Sequence, residues 1–197
     1  MRPNVIRGVN YGPYAIYNVR YKGPRVSDVL KASGVDLNKV KDKHLWTTGF
    51  DEDFPGDPVQ TSVVMSHVLD PRNEVILAIE ANGEDIPEDH GYPVRILYPG
   101  FIGLRSTKWL CKMEIMDNES PCRFQQRAYK LYKEDTWAEV DTTKYPPPMG
   151  HVLNCVIAEP LKGDVVKCTV EHPYIEIKGV AVGEGGTGGR VTKVEIS

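Results

Sequence analysis

The stretch that decides the fold is HGYPVRILYPGFIGLRSTKWL, residues 90–110. Pro93 disfavours a continuous helix, so we expect a loop that enters a strand at residues 94–98. Pro99 and Gly100 end that strand, and a second glycine turn leads into the RSTK segment, residues 105–108. Taken as residues alone, this is either a solvated basic turn or a site for a polyanionic or heteroaromatic ligand.

The segments around this stretch predict a mixture of helices and strands. An apolar face over residues 26–33, followed by Gly34, predicts a helix with a glycine after its end. Strands are predicted at the following stretches: residues 43–48, 75–80 and 109–116. The GFDEDFPGDP segment, residues 49–58, is typical of a loop, residues 60–68 suggest a short helix, and Asn82-Gly83 indicates a turn.

The sequence pattern changes after YPPPM, residues 145–149. This segment is the best linker candidate, because three consecutive prolines fit neither a helix nor a sheet interior. Four short strand-like runs follow, at residues 152–157, 165–170, 174–182 and 190–196. Their spacing favours an antiparallel β-sandwich, although a sandwich needs about seven strands.

Composition limits the kinds of partner. The 197 residues carry a net charge of −3, which argues against a whole-molecule attraction to nucleic acid or anionic membranes. No run of about 18 apolar residues is present, so we expect no membrane span. The four cysteines, at 111, 122, 155 and 168, form no CxxC pair; we expect free thiols, with two disulfides as the alternative.

The order HGYPVR, then PG, then a glycine, an arginine and KWL resembles the molybdopterin domain of sulfite oxidases and eukaryotic nitrate reductases. Flanking segments agree with this resemblance: RYKGPRVSDVL, DPRNEVILAIEANGEDIPEDHGYP, FQQRAYK and VIAEP. The resemblance implies an α+β fold: a partial mixed α/β molybdopterin-binding domain at residues 1–148. It also implies the first strands of an immunoglobulin-like dimerisation domain at residues 149–197.

The resemblance also implies a cofactor and its binding residues. The cofactor is Mo-molybdopterin, and the family's contact positions fall here on a set of six residues: Asp51, His90, Arg95, Ser106, Thr107 and Lys108. Asp51 would accept from the pterin amino groups, whereas the cationic and hydroxyl side chains would face ring heteroatoms or phosphate.

The family's molybdenum-binding cysteine lies in a CAGNRR-like motif that this sequence lacks, and the haem domain of animal members is absent as well. We therefore assign no catalytic or metal-binding residue and expect a fragment that is inactive alone.

The family reaction is oxidation of sulfite to sulfate. The alternatives are a non-catalytic binding or dimerisation remnant, which would form a homodimer through residues 149–197, and a nitrate-reductase-like member. The resemblance implies that the protein is located in the mitochondrial intermembrane space. Because no transit peptide is visible, the cytoplasm is the alternative location.

Overall fold

The computed structural model describes residues 17–130, 132–133, 140–151, 153–161, 163–183 and 191–196. It confirms a mixed, strand-rich fold with few helices. The strands are β1 (Tyr21–Lys22), β2 (His44–Phe54), β3 (Asp57–Val64), β4 (Ile76–Ala78), β5 (Glu80–Ala81), β6 (Glu84–Asp85), β7 (Arg95–Leu97), β8 (Leu110–Met116), β9 (Asn154–Glu159) and β10 (Lys178–Val182). The α-helices are α1 (Val26–Ala32) and α2 (Met65–Leu69), and short helical turns lie at Leu37–Lys39, Pro71–Asn73, Glu88–His90, Gly103–Arg105, Phe124–Ala128 and Thr142–Lys144.

The largest sheet has three antiparallel strands in the order β3-β2-β8. Leu45 of the central strand pairs with Val63 of β3 and with Ile115 of β8, and its side chain is fully buried. Burial of such apolar side chains stabilises the sheet at roughly 25 cal/mol per Å² of apolar surface removed from water. Asp51 lies near the C-terminal end of the central strand β2.

The prediction of a loop at residues 49–58 is wrong. β2 runs through Phe54, the chain turns at Pro55 and Gly56, and β3 begins at Asp57. Asp, Gly and Pro are tolerated because the pairing shifts register between Thr48 and Phe54, which marks bulges in the ladder. Residue composition alone shows neither the partner strand nor the bulge.

The predicted helix over residues 26–33 is confirmed as α1, and Gly34 follows it with a φ of +86°. The predicted helix over residues 60–68 is wrong in its first half. Residues 60–64 belong to β3, and only Met65–Leu69 is helical. Thr61 and Ser62 are fully buried and Val63 nearly so, because the sheet takes up this segment before the helix begins.

Two smaller sheets lie beside the large one. β4 pairs with β7, and β1, β5 and β6 form a second small sheet in the order β1-β5-β6. The Asn82-Gly83 turn joins β5 to β6 with both residues at positive φ, as predicted. Helix α1 packs over these elements through Val26 and Leu30, which join the main hydrophobic core.

The part after residue 149 contains one described hairpin, β9 with β10, paired antiparallel. The predicted strand at 165–170 has no regular structure, and neither do residues 191–196 of the strand predicted at 190–196, whose first residue lies outside the described residues. The immunoglobulin-like sandwich and the boundary at residue 148 therefore stay predictions. Residues around the boundary contact the first part of the chain, since the Ile102 amide donates to the Met149 carbonyl at 2.8 Å.

All four cysteines are free thiols. Within the described ranges, no helix combines the length and the apolar character that a bilayer crossing requires.

Candidate cofactor site

The centre of the candidate site is the segment at residues 106–109, which lies between two strands and bonds to both. On one side the Ile96 amide donates to the Thr107 carbonyl at 3.1 Å. On the other side the Phe50 amide donates to the Trp109 carbonyl at 2.9 Å. Main-chain hydrogen bonds therefore fix this segment against both β2 and β7, so its side chains project from a rigid frame.

Arg95 joins the two loops of the HGYPVR…RSTK stretch. One terminal nitrogen of its guanidinium donates to the His90 carbonyl at 2.9 Å, and the other donates to the Ser106 carbonyl at 3.1 Å. The side chain is buried, and its Nε makes no hydrogen bond. The rigid fork of donors thus serves the protein's own main chain, while Nε keeps an unused donor.

Asp51 sits where β2 passes this frame. Its Oδ1 is buried and has no hydrogen-bond partner. A Cβ placed on Gly49 would lie 2.2 Å from that Oδ1 and 2.9 Å from the Lys108 carbonyl oxygen, so only glycine leaves the required room. Burial raises the pKa of Asp51, and the positive charge of Lys108 partly opposes this. An unsatisfied buried acceptor is costly, so it marks a position where a ligand donor would bind well.

Lys108 and Trp109 close the same side of the site. The Lys108 ammonium donates to the Asp89 carbonyl at 2.9 Å and lies 4.0 Å from the centre of the Trp109 ring. Trp109 has a φ of +46°, a left-handed conformation that costs a bulky residue about 1–2 kcal/mol. Its indole nitrogen donates to the Glu88 carbonyl at 2.8 Å, which offsets part of that cost and ties the segment to the turn before His90.

The two predicted hydroxyl ligands are engaged inside the protein. The Ser106 Oγ accepts the Tyr98 amide at 3.1 Å. The Thr107 Oγ1 lies 2.8 Å from the Thr47 Oγ1 and 3.4 Å from the Thr61 Oγ1, within a buried threonine cluster. Of the six residues predicted from the sequence, Asp51, His90 and Arg95 lie around the 106–109 frame and Lys108 belongs to it, whereas the two hydroxyls bond within the fold.

The structure adds neighbours that sequence reasoning missed. Tyr21 lies against Arg95, with 5.7 Å between the guanidinium carbon and the ring centre, and Tyr17 lies 6.0 Å from the His90 ring. Burial, helped by a hydrogen bond with Tyr17, raises the pKa of Tyr21 above its ordinary value, and the charge of Arg95 partly opposes this. Tyr21 lies in the RYKGPRVSDVL segment that agrees with the family resemblance, but nothing in the sequence places it beside a residue some seventy positions away. Gly49 could have been noticed as a glycine near Asp51.

Among the described residues, no group of three or more His, Cys, Asp and Glu side chains gathers into a metal site. The residues do fit the organic part of the predicted cofactor. The unpartnered Asp51 oxygen suits a ring that offers N–H donors, and the Lys108 ammonium and Arg95 Nε suit an anionic or heteroaromatic group.

Comparison with known proteins identifies the class. Residues 1–124 match the oxidoreductase molybdopterin binding domain, so the chain belongs to this family. It is 33% identical over 193 residues to the mitochondrial sulfite oxidase of Drosophila melanogaster and 34% identical to that of Homo sapiens. Each alignment covers 98% of this chain, but the chain spans only about a third of each relative, 33% and 34%.

Two further relatives extend the comparison. The NAD(P)H nitrate reductase of Hordeum vulgare is 35% identical over 209 residues, covering 98% of this chain and 23% of that protein. The crystal structure of the sulfane dehydrogenase SoxCD from Paracoccus pantotrophus superposes with a TM-score of 0.57 at 27% identity, covering 73% of this chain and 33% of that one. The recognition of the sulfite oxidase family from the HGYPVR…KWL stretch is thus confirmed.

Gly91 is a second glycine of this site where an added methyl group should destabilise the fold. Gly91 and Gly83 have similar φ values, +109° and +92°, but a Cβ on Gly91 would lie 3.1 Å from the Lys108 Cα, whereas Gly83 has open space. Both alanine substitutions cost about 1–2 kcal/mol for the left-handed backbone. Gly91→Ala should cost more than Gly83→Ala because Lys108 must also move, as measured by urea unfolding. An equal loss of unfolding free energy in the two variants would show that the 106–109 segment can move at no cost and would contradict this prediction.

Ionisation of the Asp51 carboxyl group should lower the free energy of unfolding as pH rises. Its folded-state pKa is raised, so the folded chain loses stability as pH climbs from the ordinary carboxyl value through the raised one. The free energy of unfolding of Asp51→Asn relative to the unsubstituted chain should therefore increase as the pH rises above about 4, the ordinary carboxyl value.

Asp70→Asn is the control of opposite sign. Hydrogen bonds from Arg72 lower the pKa of Asp70 to about 2, so the unsubstituted chain gains from this carboxylate at neutral pH and loses the gain in acid. Parallel pH trends for the two variants would contradict the assignment of a desolvated Asp51.

Proposed function

We propose that this chain binds the pterin part of Mo-molybdopterin and serves the oxidation of sulfite to sulfate. The observation that carries the proposal is the buried Asp51 Oδ1, which has no donor among the described residues although it lies beside the rigid 106–109 frame. Family membership supplies the cofactor class, and the sulfite oxidases among the relatives supply the reaction.

In this proposal each residue has a defined task. Asp51 accepts hydrogen bonds from pterin amino groups, and Lys108 places a positive charge near the phosphate end. His90, which is exposed at the end of a short helical turn, adds a ring nitrogen at the rim. Arg95 offers Nε and otherwise works through the main chain, holding the His90 and Ser106 carbonyls in place.

The backbone of the 106–109 segment would carry the contacts expected of Ser106 and Thr107, since both hydroxyls already bond to protein groups. When bound, the molybdenum centre would supply oxygen-atom transfer. The net reaction takes one oxygen from water and releases two protons and two electrons to an acceptor. The protein supplies orientation and charge.

A nitrate-reductase-like activity is the second candidate, because the barley nitrate reductase is as similar to this chain as the sulfite oxidases are. A third candidate is a non-catalytic member that dimerises. Its support is the exposed apolar surface after residue 149, which includes Leu153, Ile157 and Tyr174. We also infer a mitochondrial location from the two animal relatives, which fractionation of cells expressing the tagged protein would test.

Asp51→Asn should remove the cofactor from protein purified from a host that makes molybdopterin. The amide loses the negative charge and half of the acceptor capacity that the pterin donors need, so we expect at least a tenfold drop in bound pterin. The readout is fluorescence of the oxidised pterin released from the purified protein. Molybdenum is measured in parallel by mass spectrometry.

Asp53→Asn is the matched control, because Asp53 lies on the same strand but pairs with Arg123 at the surface. It should keep its pterin. Loss of pterin from both variants, or from neither, would overturn the assignment of Asp51. Assays of loaded protein with sulfite or nitrate and an artificial electron acceptor or donor then separate the two enzymatic candidates.

If residues 149–197 dimerise, Ile157→Glu should dissociate the dimer, because Ile157 is 51% exposed on β9 and a buried unpaired carboxylate would be costly at an interface. Sedimentation velocity measures the change. Val64→Glu, at a 37% exposed position of β3, is the control and should leave the mass unchanged. A strict monomer before substitution would exclude this candidate.

A further inference from the structure

A second cavity lies at the opposite end of β2 from Asp51. It encloses about 680 Å³ between the start of β2, the end of β3 and the segment that runs from Thr143 to Met149. Its lining residue His44 lies seven positions before Asp51 on this strand, which is roughly 23 Å at about 3.3 Å per residue. The cavity is therefore separate from the candidate cofactor site.

Lys130 is the first unusual feature of this cavity. It lines the cavity with only 9% of its surface exposed, and its ammonium donates to the Thr142 carbonyl at 2.9 Å. Within the described ranges no carboxylate forms a salt bridge with it. A buried ammonium that pairs with no carboxylate among the described residues is costly, so this group favours an anionic partner.

His44 is the second unusual feature. Its Nδ1 is buried and has no hydrogen-bond partner, although the residue lines the same cavity as Lys130. A buried ring nitrogen can donate to an anion when it carries a proton. Two polar residues from distant parts of the sequence thus line one cavity: Lys130 has a carbonyl partner but no carboxylate, and the His44 Nδ1 has no partner among the described residues.

The charges of the lining favour an anion. Lys144 adds a second ammonium, and its own salt bridge to Asp141 is long, 3.5 Å, and exposed. Glu119 is the one carboxylate among the described lining residues, and its Oε2 already accepts from the Gln125 amide at 3.1 Å. Two lysines therefore face one engaged carboxylate.

The rest of the lining is apolar and includes Phe101 and Met149. Phe101 stacks on the His67 ring with 4.1 Å between ring centres, which holds it in place. A bare inorganic ion would leave this apolar surface uncovered, whereas an organic anion would cover it. The volume lies within the roughly 300–1,000 Å³ of small-molecule sites.

We propose that this cavity binds a small aromatic carboxylate or sulfonate, with the anionic group at Lys130 and His44 and the ring against Phe101 and Met149. The ligand would span the β2–β3 sheet and the proline-rich segment, so its binding would stiffen the connection between them. This inference is independent of the cofactor proposal.

The probe is 2-naphthoate, titrated calorimetrically into the full chain. The unsubstituted protein and Lys130→Arg should bind it saturably, and Lys130→Met should bind at least tenfold more weakly. Lys112→Met, which removes an exposed lysine on β8, is the control and should not change the affinity. The neutral 2-naphthamide should bind at least tenfold more weakly than the carboxylate.

Thermal unfolding confirms that each variant folds and gives a second readout, because naphthoate should raise the Tm of every variant that retains Lys130 or Arg at this position. The proposal is overturned by a lack of saturable binding to the unsubstituted protein, or by equal affinity for the amide. Binding that survives in Lys130→Met also overturns it, since the naphthoate would then sit elsewhere, such as on the exposed apolar side chains after residue 149.

Discussion

The arrangement of the candidate site depends on one side chain that reaches two carbonyls. Arg95 holds the main chain at His90 and at Ser106, and these points belong to loops that share no strand. Without it the Ser106 carbonyl would lose a donor in a buried bond, at a cost of about 1–3 kcal/mol, and the partly buried bond to the His90 carbonyl would be lost as well. The bridge adds to the main-chain bonds that hold the 106–109 segment against β2 and β7, so the arginine acts as much on the protein as on any ligand.

Local chemistry made part of the fold predictable. Helix α1 with Gly34 after it and the Asn82-Gly83 turn depend on residues within one turn of each other, and both were predicted correctly. The β2–β3 hairpin was missed because its Asp, Gly and Pro residues are typical of loops, and its stability comes from pairing with β8, some sixty residues later. Residues 60–64 were assigned to a helix for the same reason: their partners are distant.

The candidate site shows the same division. The stretch from His90 to Lys108 could be predicted to form one surface because its members are close in sequence and match a family pattern. The hydrogen bonds of Thr107 with Thr47 and Thr61 could not be predicted, since the sequence does not show whether a threonine hydroxyl binds a ligand or lies in the core. The unused Asp51 oxygen likewise becomes visible only when its neighbours are placed around it.

The β9–β10 hairpin should be less stable than the sheet that contains β2. A two-stranded hairpin with exposed faces gains little from burial, whereas β2 lies between two partners over a packed core. Amide hydrogens of the hairpin should therefore exchange with solvent through small, frequent openings, and those of β2 only through openings close to global unfolding. A protease that samples open states would trim the chain from this hairpin and leave the Arg95 bridge folded.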